Sequence, residues 1–183
     1  MIETERLRLV PISVELVESV IRGDRLGTEA VLDSALAAAG LPCGATLPEA
    51  WPEADLVTRA FPYSLEAIRA APDIRLWGDS VILPRNGQPR VLGSIVFHGK
   101  PGDGVAEVSY GIESGSRGHG FATEATLACV QWALEQPSIT AVRATTFPWH
   151  QASLRVIRKI GMVRCGERVH DVLGDLLVFE RRR

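Results

Sequence analysis

A pair of glycines separates a predicted strand from a predicted long helix in the second half of this chain. The run Arg117-Gly118-His119-Gly120-Phe121-Ala122 follows a strand predicted over 105–112 and opens a helix predicted over 120–136. Two glycines in three residues let the backbone approach a ligand closely, and a helix start presents unpaired N–H groups and a positive dipole end. This arrangement predicts a site for an anion such as a pyrophosphate.

Two common nucleotide-binding patterns do not fit this turn. A dinucleotide-binding fingerprint requires a third glycine or an alanine where Thr123 stands, and it opens a parallel unit, whereas the strands before this turn are predicted to be antiparallel. The P-loop pattern requires Gly-Lys-Ser/Thr at the end of the loop, and that tripeptide is missing here.

The wider pattern predicts an α/β domain with a mixed sheet. Residues 76–83, 91–98 and 105–112 alternate like strands and are joined by short turns, which predicts an antiparallel meander. The remaining elements are predicted as strands over 7–10 and 141–147, helices over 14–22, 29–39, 64–71 and 151–160, and a terminal hairpin over 162–181 that turns near Gly174-Asp175.

Length and charge restrict the class of protein. A chain of 183 residues is one domain of ordinary size, and 20 basic against 22 acidic residues give a net charge of −2, without the basic surface of a nucleic-acid binder. The three cysteines and four histidines lack metal-ligand spacing, so no metal is expected. With neither a leader pattern nor an apolar run of membrane-spanning length, we expect a cytoplasmic protein with no membrane partner, either a monomer or a homodimer.

Three blocks of sequence resemble one family. Arg117, Gly120 and Ala122 match the fixed positions of Arg/Gln-x-x-Gly-x-Gly/Ala, and residues 150–161 resemble Asn-x-x-Ser-x-Arg-Val-x-x-Lys-x-Gly. With the N-terminal segment 3–9, these blocks resemble the GNAT superfamily of N-acetyltransferases and its RimJ/RimL-like branch. The resemblance implies a single GNAT-like domain over 1–183, with a mixed, mostly antiparallel sheet flanked by helices.

The resemblance also implies acetyl-CoA as co-substrate. Backbone amides of the glycine turn would hold its pyrophosphate, and the edge of the preceding strand would pair with the pantetheine amides, within an acetyl-CoA-binding core at 105–161. The residues implied in cofactor binding are Tyr110, Gly111, Ile112, Arg117, Gly118, His119, Gly120, Phe121, Ala122 and Thr123. The segment 24–73 is the variable, substrate-side part, and its Pro-rich stretch with Trp51 is expected to shape the acceptor pocket.

Glu107 is the leading candidate for the general base. The strand period of two places it with Ser109 on one face, opposite Ala106 and Val108, and a carboxylate beside the thioester could act through water. An outward-facing structural glutamate explains the pattern equally well. Glu113 and Asp171 are reserve candidates.

Ser153 is the candidate acid. It shares a helical stripe with Val156, Ile157 and Ile160, so its hydroxyl is expected to face inward. By resemblance it would face the sulfur of CoA, whereas the alternative is a serine that caps the helix start. Ile157 occupies the position at which many other GNAT enzymes have a catalytic tyrosine.

His150 stands where the second block usually has asparagine. Its imidazole could contact the cofactor, act as a base, or serve only in packing. The predicted function is acetyl transfer to a primary amine, either a protein N-terminal α-amine or a small-molecule amine, by direct attack on the thioester. The alternative is a non-catalytic acyl-CoA-binding sensor or interaction module.

Overall fold

The computed structural model describes residues 1–54, 57–58, 61–70, 76–98, 101–171 and 174–183. Its strands are β1 (Ile2–Glu3), β2 (Leu7–Pro11), β3 (Asp79–Pro84), β4 (Gly93–Phe97), β5 (Val105–Ile112), β6 (Ala141–Thr146), β7 (Val163–His170) and β8 (Gly174–Arg182). Its α-helices are α1 (Val14–Ile21), α2 (Arg25–Ala38), α3 (Phe61–Ala70), α4 (Phe121–Glu135) and α5 (Gln151–Lys159).

The eight strands form one mixed sheet in the order β1-β2-β3-β4-β5-β6-β8-β7. β5 and β6 pair in parallel, and every other neighbouring pair of these strands is antiparallel. The helix α4 makes the crossover between the two parallel strands, as such a connection requires. The predicted fold class, a single α/β domain with a mostly antiparallel sheet, is confirmed.

Each face of the sheet has its own hydrophobic core. The helices α4 and α5 cover one face, where Cys129 and Ile157 pack against Val108 and Val142. The helices α1 and α2 pack on the other face, where Leu16 and Leu32 belong to a core that also contains the fully buried Trp51. Because successive strand residues point to opposite faces, β5 contributes side chains to both sides of the molecule.

The sequence prediction was wrong at several element boundaries. The strand predicted from residue 76 begins at Asp79, because residues 76–77 form a 3-10 turn that packs Trp77 against Phe97 and Trp132. The helix predicted from Glu29 begins at Arg25, since the Asp24 side chain accepts a hydrogen bond from the Gly27 amide and caps the helix.

The terminal strands and the helix α3 also differ from the prediction. The C-terminal hairpin turns before Gly174, which already pairs with His170, and the short strand β1 was not predicted. The helix α3, described over Phe61–Ala70, already includes the three residues before its predicted start at Ser64. The end predicted for that helix, residue 71, lies outside the described residues.

Candidate active site

The strands β5 and β6 separate in the middle of the sheet. Their parallel pairing runs from Val105↔Ala141 to Glu107↔Arg143, yet β5 continues to Ile112 and β6 to Thr146. Beyond Glu107, the β6-facing edge of β5 therefore lacks a strand partner in the described sheet. A linear ligand can pair with this edge as an additional strand.

The pleat of β5 determines which of its residues face this opening. The Glu113 amide donates to Leu92 and the His98 amide to Glu107, so the odd-numbered residues of β5 bond to β4. The N–H and C=O groups of Tyr110 and Ile112 consequently point toward β6. Of the three strand-edge residues predicted, Gly111 instead pairs with Ser94 on β4.

The glycine turn lies at the same end of β5. Gly118 and Gly120 both have φ of +82°, which favours glycine, and a Cβ on Gly118 would meet nothing within 4 Å. Gly120 is the N-cap of α4, and no side chain caps this helix. The first-turn amides, including those of Ala122 and Thr123, are therefore free to bind an external anion.

The side chains of the turn make contacts with neighbouring parts of the protein and with each other. The Arg117 Nε donates to the Ile112 carbonyl at 2.8 Å, and its Nη2 pairs with Glu53 at 2.7 Å. The rings of His119 and Phe121 stack with centroids 5.7 Å apart. The predicted cofactor residues from Arg117 to Thr123 thus lie consecutively in the glycine turn and the first turn of α4.

Glu107 lies where the two strands begin to separate, on the face opposite α4 and α5. Its carboxylate accepts hydrogen bonds from Thr145 Oγ1 at 3.2 Å and from Arg168 Nη2 at 3.2 Å. The alternation predicted for β5 is confirmed, because Ala106 and Val108 are buried whereas Glu107 is half-buried. The contacts with Thr145 and Arg168 were not predicted; Arg168 comes from the terminal hairpin, too distant in sequence to be associated with β5.

Ser153 and Tyr110 meet on the other face of the opening. The Tyr110 Oη lies 3.0 Å from the Ser153 Oγ and 3.3 Å from the Ser153 carbonyl oxygen. Burial raises the pKa of Tyr110 above its ordinary value, against the lowering effect of the hydrogen bond with Ser153. Ile157, at the position where many GNAT enzymes have a tyrosine, is fully buried.

His150 is the N-cap of α5, and its side chain makes no capping hydrogen bond. The imidazole is exposed, and its ring centroid lies 5.8 Å from that of Trp149, which in turn stacks on Phe147. This location is on the same side of the sheet as α5, across the opening from Glu107.

The reserve candidates for a base differ in their surroundings. Glu113 is buried and bonds to Arg90, Ser116 and the Gly115 amide. Burial opposes the change, but these hydrogen bonds lower the pKa of Glu113, so its carboxylate serves the turn after β5. Asp171 is exposed at the tip of the terminal hairpin.

The buried cysteine belongs to the core. Cys129 lies on the inner side of α4, and burial raises the pKa of its thiol to about 12, which removes the thiolate needed for nucleophilic chemistry. The described residues contain no group of three or more His, Cys, Asp or Glu side chains that could hold a metal ion. Among the described helices, none combines the length and apolar character needed to cross a membrane.

The Pro-rich segment contacts both the sheet and the glycine turn. Trp51 Nε1 donates to Ser94 Oγ at 3.3 Å on the face of Glu107, and Glu53 pairs with Arg117. Arg25 holds the segment by donating to the carbonyl oxygens of Trp51, Leu47 and Pro48 at 2.9, 2.8 and 2.9 Å. Sequence reasoning missed Arg25, because nothing in its local pattern indicates three distant carbonyl partners.

Most of this arrangement lies within a part of the chain that matches a known protein family. A family profile described as "Acetyltransferase (GNAT) domain" matches residues 44–163. The chain belongs to the GNAT acetyltransferase family. The match spans the β5–β6 opening and the glycine turn, and it begins within the Pro-rich stretch. The prediction of an enzyme, an acyltransferase of this family, is confirmed.

Individual relatives agree with this assignment. The chain is 23% identical over 164 residues, 89% of both chains, to the uncharacterized N-acetyltransferase YjdG of Bacillus subtilis (strain 168). It is similar to RimL, a ribosomal L7/L12 α-N-protein acetyltransferase solved with coenzyme A, at 14% identity, TM-score 0.63, covering 98% of this GNAT chain and 95% of RimL. It is equally similar to the microcin C7 self-immunity acetyltransferase MccE, solved with acetyl-CoA and AMP, at 13% identity, TM-score 0.63, covering 98% and 94%.

Proposed function

We propose that this chain transfers the acetyl group of acetyl-CoA to a primary amine, as a member of the RimJ/RimL-like branch. The observation that carries the proposal is the opening between β5 and β6 beside an uncapped glycine turn, with hydroxyl groups on one face and a carboxylate on the other. The coenzyme A ligands of RimL and MccE support the same co-substrate for this fold.

The residues present fit acetyl-CoA. The α4 amides that no side chain caps, together with Gly118 and Gly120, would hold the pyrophosphate, and Tyr110 and Ile112 offer backbone groups to the pantetheine. When bound, acetyl-CoA supplies a thioester whose carbonyl carbon forms the new C–N bond as its C–S bond breaks. The residues that follow act on the amine and on the departing sulfur.

Glu107 serves as the general base. Its carboxylate is fixed by Thr145 and Arg168 on the face opposite α4, so an amine entering from that face would lose its proton to Glu107, directly or through water. The demand on this base is modest for an α-amine, about one-tenth of which is unprotonated at pH 7, against about one in 2,500 for a lysine side chain.

Ser153 serves as the acid. Its Oγ–H would protonate the departing sulfur, and in that step the adjacent Tyr110 hydroxyl, 3.0 Å away, would act as the donor to the serine oxygen. Because burial raises the pKa of Tyr110, this phenol keeps its proton and remains a donor across the working pH range. Solvent then returns the proton to Ser153.

His150 contacts the cofactor in place of the asparagine typical of this branch. Its position at the start of α5, across the sheet from Glu107, favours binding over base catalysis. We expect His150→Asn to leave the pH–rate profile unmoved; loss of one ionisation from that profile would instead assign His150 to proton transfer.

The acceptor enters over Glu107, on the face of the sheet against which the Pro-rich segment packs. Trp51 and Ser94 are themselves buried, so they would shape the acceptor pocket by supporting this face from within the core. Both acceptor classes, protein N-termini and small-molecule amines, suit this face.

The test joins binding with turnover. Isothermal titration should show micromolar binding of acetyl-CoA, and free thiol should appear when N-terminal peptides, aminoglycosides or polyamines are added. Binding without amine-dependent thiol release would favour a non-catalytic module, and absence of binding would refute the proposal.

A further inference from the structure

The bend between β1 and β2 reaches the glycine turn through one arginine. Arg6 Nη1 donates to the His119 carbonyl oxygen at 3.1 Å, and its guanidinium carbon lies 5.0 Å from the centroid of the Phe121 ring. A Cβ added to Gly120 would lie 3.5 Å from Arg6 Nη2. Arg6 therefore packs directly against the back of the turn.

The same arginine forms a fork with Glu124 in the first turn of α4. Arg6 Nε and Nη2 lie 2.7 and 2.6 Å from Glu124 Oε2, while the Arg6 amide and the Thr4 hydroxyl donate to Oε1 at 2.9 and 2.6 Å. Burial opposes the change, but these hydrogen bonds and the charge of Arg6 lower the pKa of Glu124. The Glu124 carboxylate is thus ionised and fully engaged.

We infer that Arg6 is a positioning residue for the phosphate-binding turn. In a trans peptide the C=O and the following N–H point in opposite directions. The His119–Gly120 peptide is trans, so holding the His119 carbonyl toward Arg6 aims the Gly120 N–H away from Arg6, to the side left open for a ligand.

Charge gives Arg6 a second effect. Glu124 lies in the first turn of the helix whose amides would bind a pyrophosphate, where an unpaired carboxylate would repel that anion. The guanidinium of Arg6 neutralises Glu124 and leaves the turn amides to the ligand. The inference rests on the proposed function, because it takes a pyrophosphate as the anion bound.

Arg6→Gln tests the inference against a matched control. Arg8, two residues along the chain, pairs with Glu3 at 2.9 Å through a single nitrogen, so Arg8→Gln removes a nearby ion pair that does not involve the turn. We expect R6Q to weaken CoA binding about tenfold by isothermal titration, and R8Q to change it less than about twofold.

Two further measurements separate positioning from general damage. Turnover of S-acetyl-pantetheine, a donor that lacks the pyrophosphate, should be unchanged in R6Q. In the ligand-free protein, the NMR order parameters of the amides at 118–122 should be lower in R6Q than in R8Q or the wild type.

Three results would overturn the inference: wild-type CoA affinity in R6Q, equal losses with both donors, or unchanged order parameters in the turn. Failure of the wild-type protein to bind CoA would instead refute the proposed function, and the order parameters of the ligand-free protein would still decide whether Arg6 orders the turn.

Discussion

The two faces of the sheet at β5 present different parts of the chain to their proposed ligands. On the face of α4 and α5, the donors are main-chain amides in a turn shaped by two glycines with positive φ. On the other face, the groups at the opening are side chains from three strands, Glu107, Thr145 and Arg168. A ligand bound by the backbone tolerates side-chain variation, whereas the charged face specifies its ligand by residue type, so the acceptor is determined there.

Gly120→Val tests whether the glycine turn binds the cofactor, and it carries the largest expected effect. A β-branched residue at φ of +82° is strained, and its side chain would press against Arg6, so we expect CoA affinity to fall at least about 100-fold by isothermal titration. Gly87→Val is the control, because Gly87 has the same φ in a distant turn with open space around it. Both variants should lose similar stability, and a similar loss of affinity in both would mean that the turn does not bind the cofactor.

Glu107→Gln tests the charged face. It keeps the shape of the side chain and removes the base, so we expect kcat to fall about 100-fold at saturating amine, with CoA affinity unchanged. Glu167→Gln, at an exposed ion pair on β7, should retain full activity. Full turnover in E107Q would remove Glu107 from the mechanism and leave it a structural partner of Arg168.

Ser153→Ala examines the hydroxyl pair on the cofactor face. We expect kcat to fall about tenfold while the KM for acetyl-CoA stays within about twofold, because Tyr110 still offers its hydroxyl near the site. Ser34→Ala on the outer side of α2 provides the control. If S153A lowers Tm well below that of S34A and loses activity only in proportion to the fraction of protein unfolded, Ser153 only supports α5.

The smallest expected effect concerns stability alone, at a buried carboxyl on the face of Glu107. Burial raises the pKa of Asp79 from 3.8 to about 7. One carboxyl oxygen of Asp79 bonds to Ser64, and the other has no hydrogen-bond partner among the residues that the structure describes. Between about pH 4 and 7 the folded protein therefore binds a proton that the unfolded chain releases, so stability falls as pH rises through this window and levels off above it. Asp79→Asn should flatten that slope and melt at a higher temperature than the wild type near pH 8. Parallel melting curves of the two proteins against pH would contradict this expectation.

The cofactor face was largely predictable from sequence, because glycines with positive φ and a helix start leave a local signature within six residues. Glu107 was placed on the correct face by strand alternation alone. The partners of Glu107 were not predictable, since Arg168 lies 61 residues away in the chain and reaches it only through the order of strands in the sheet. The family resemblance predicted that Tyr110 acts through its backbone. Its hydroxyl contact with Ser153 was not predicted, because the two residues lie 43 positions apart in the chain.

The short parallel junction between β5 and β6 has a consequence for how the molecule assembles. Three residue pairs join the sheet β1–β5 to the sheet β6–β8, and they can form only after α4 has crossed between them. Antiparallel hairpins such as β3–β4 and β7–β8 close short loops and can form early, whereas this junction carries a larger loop-closure entropy. The site spans this junction, so hairpins formed on either side of it cannot bind CoA until the two parts of the sheet have docked.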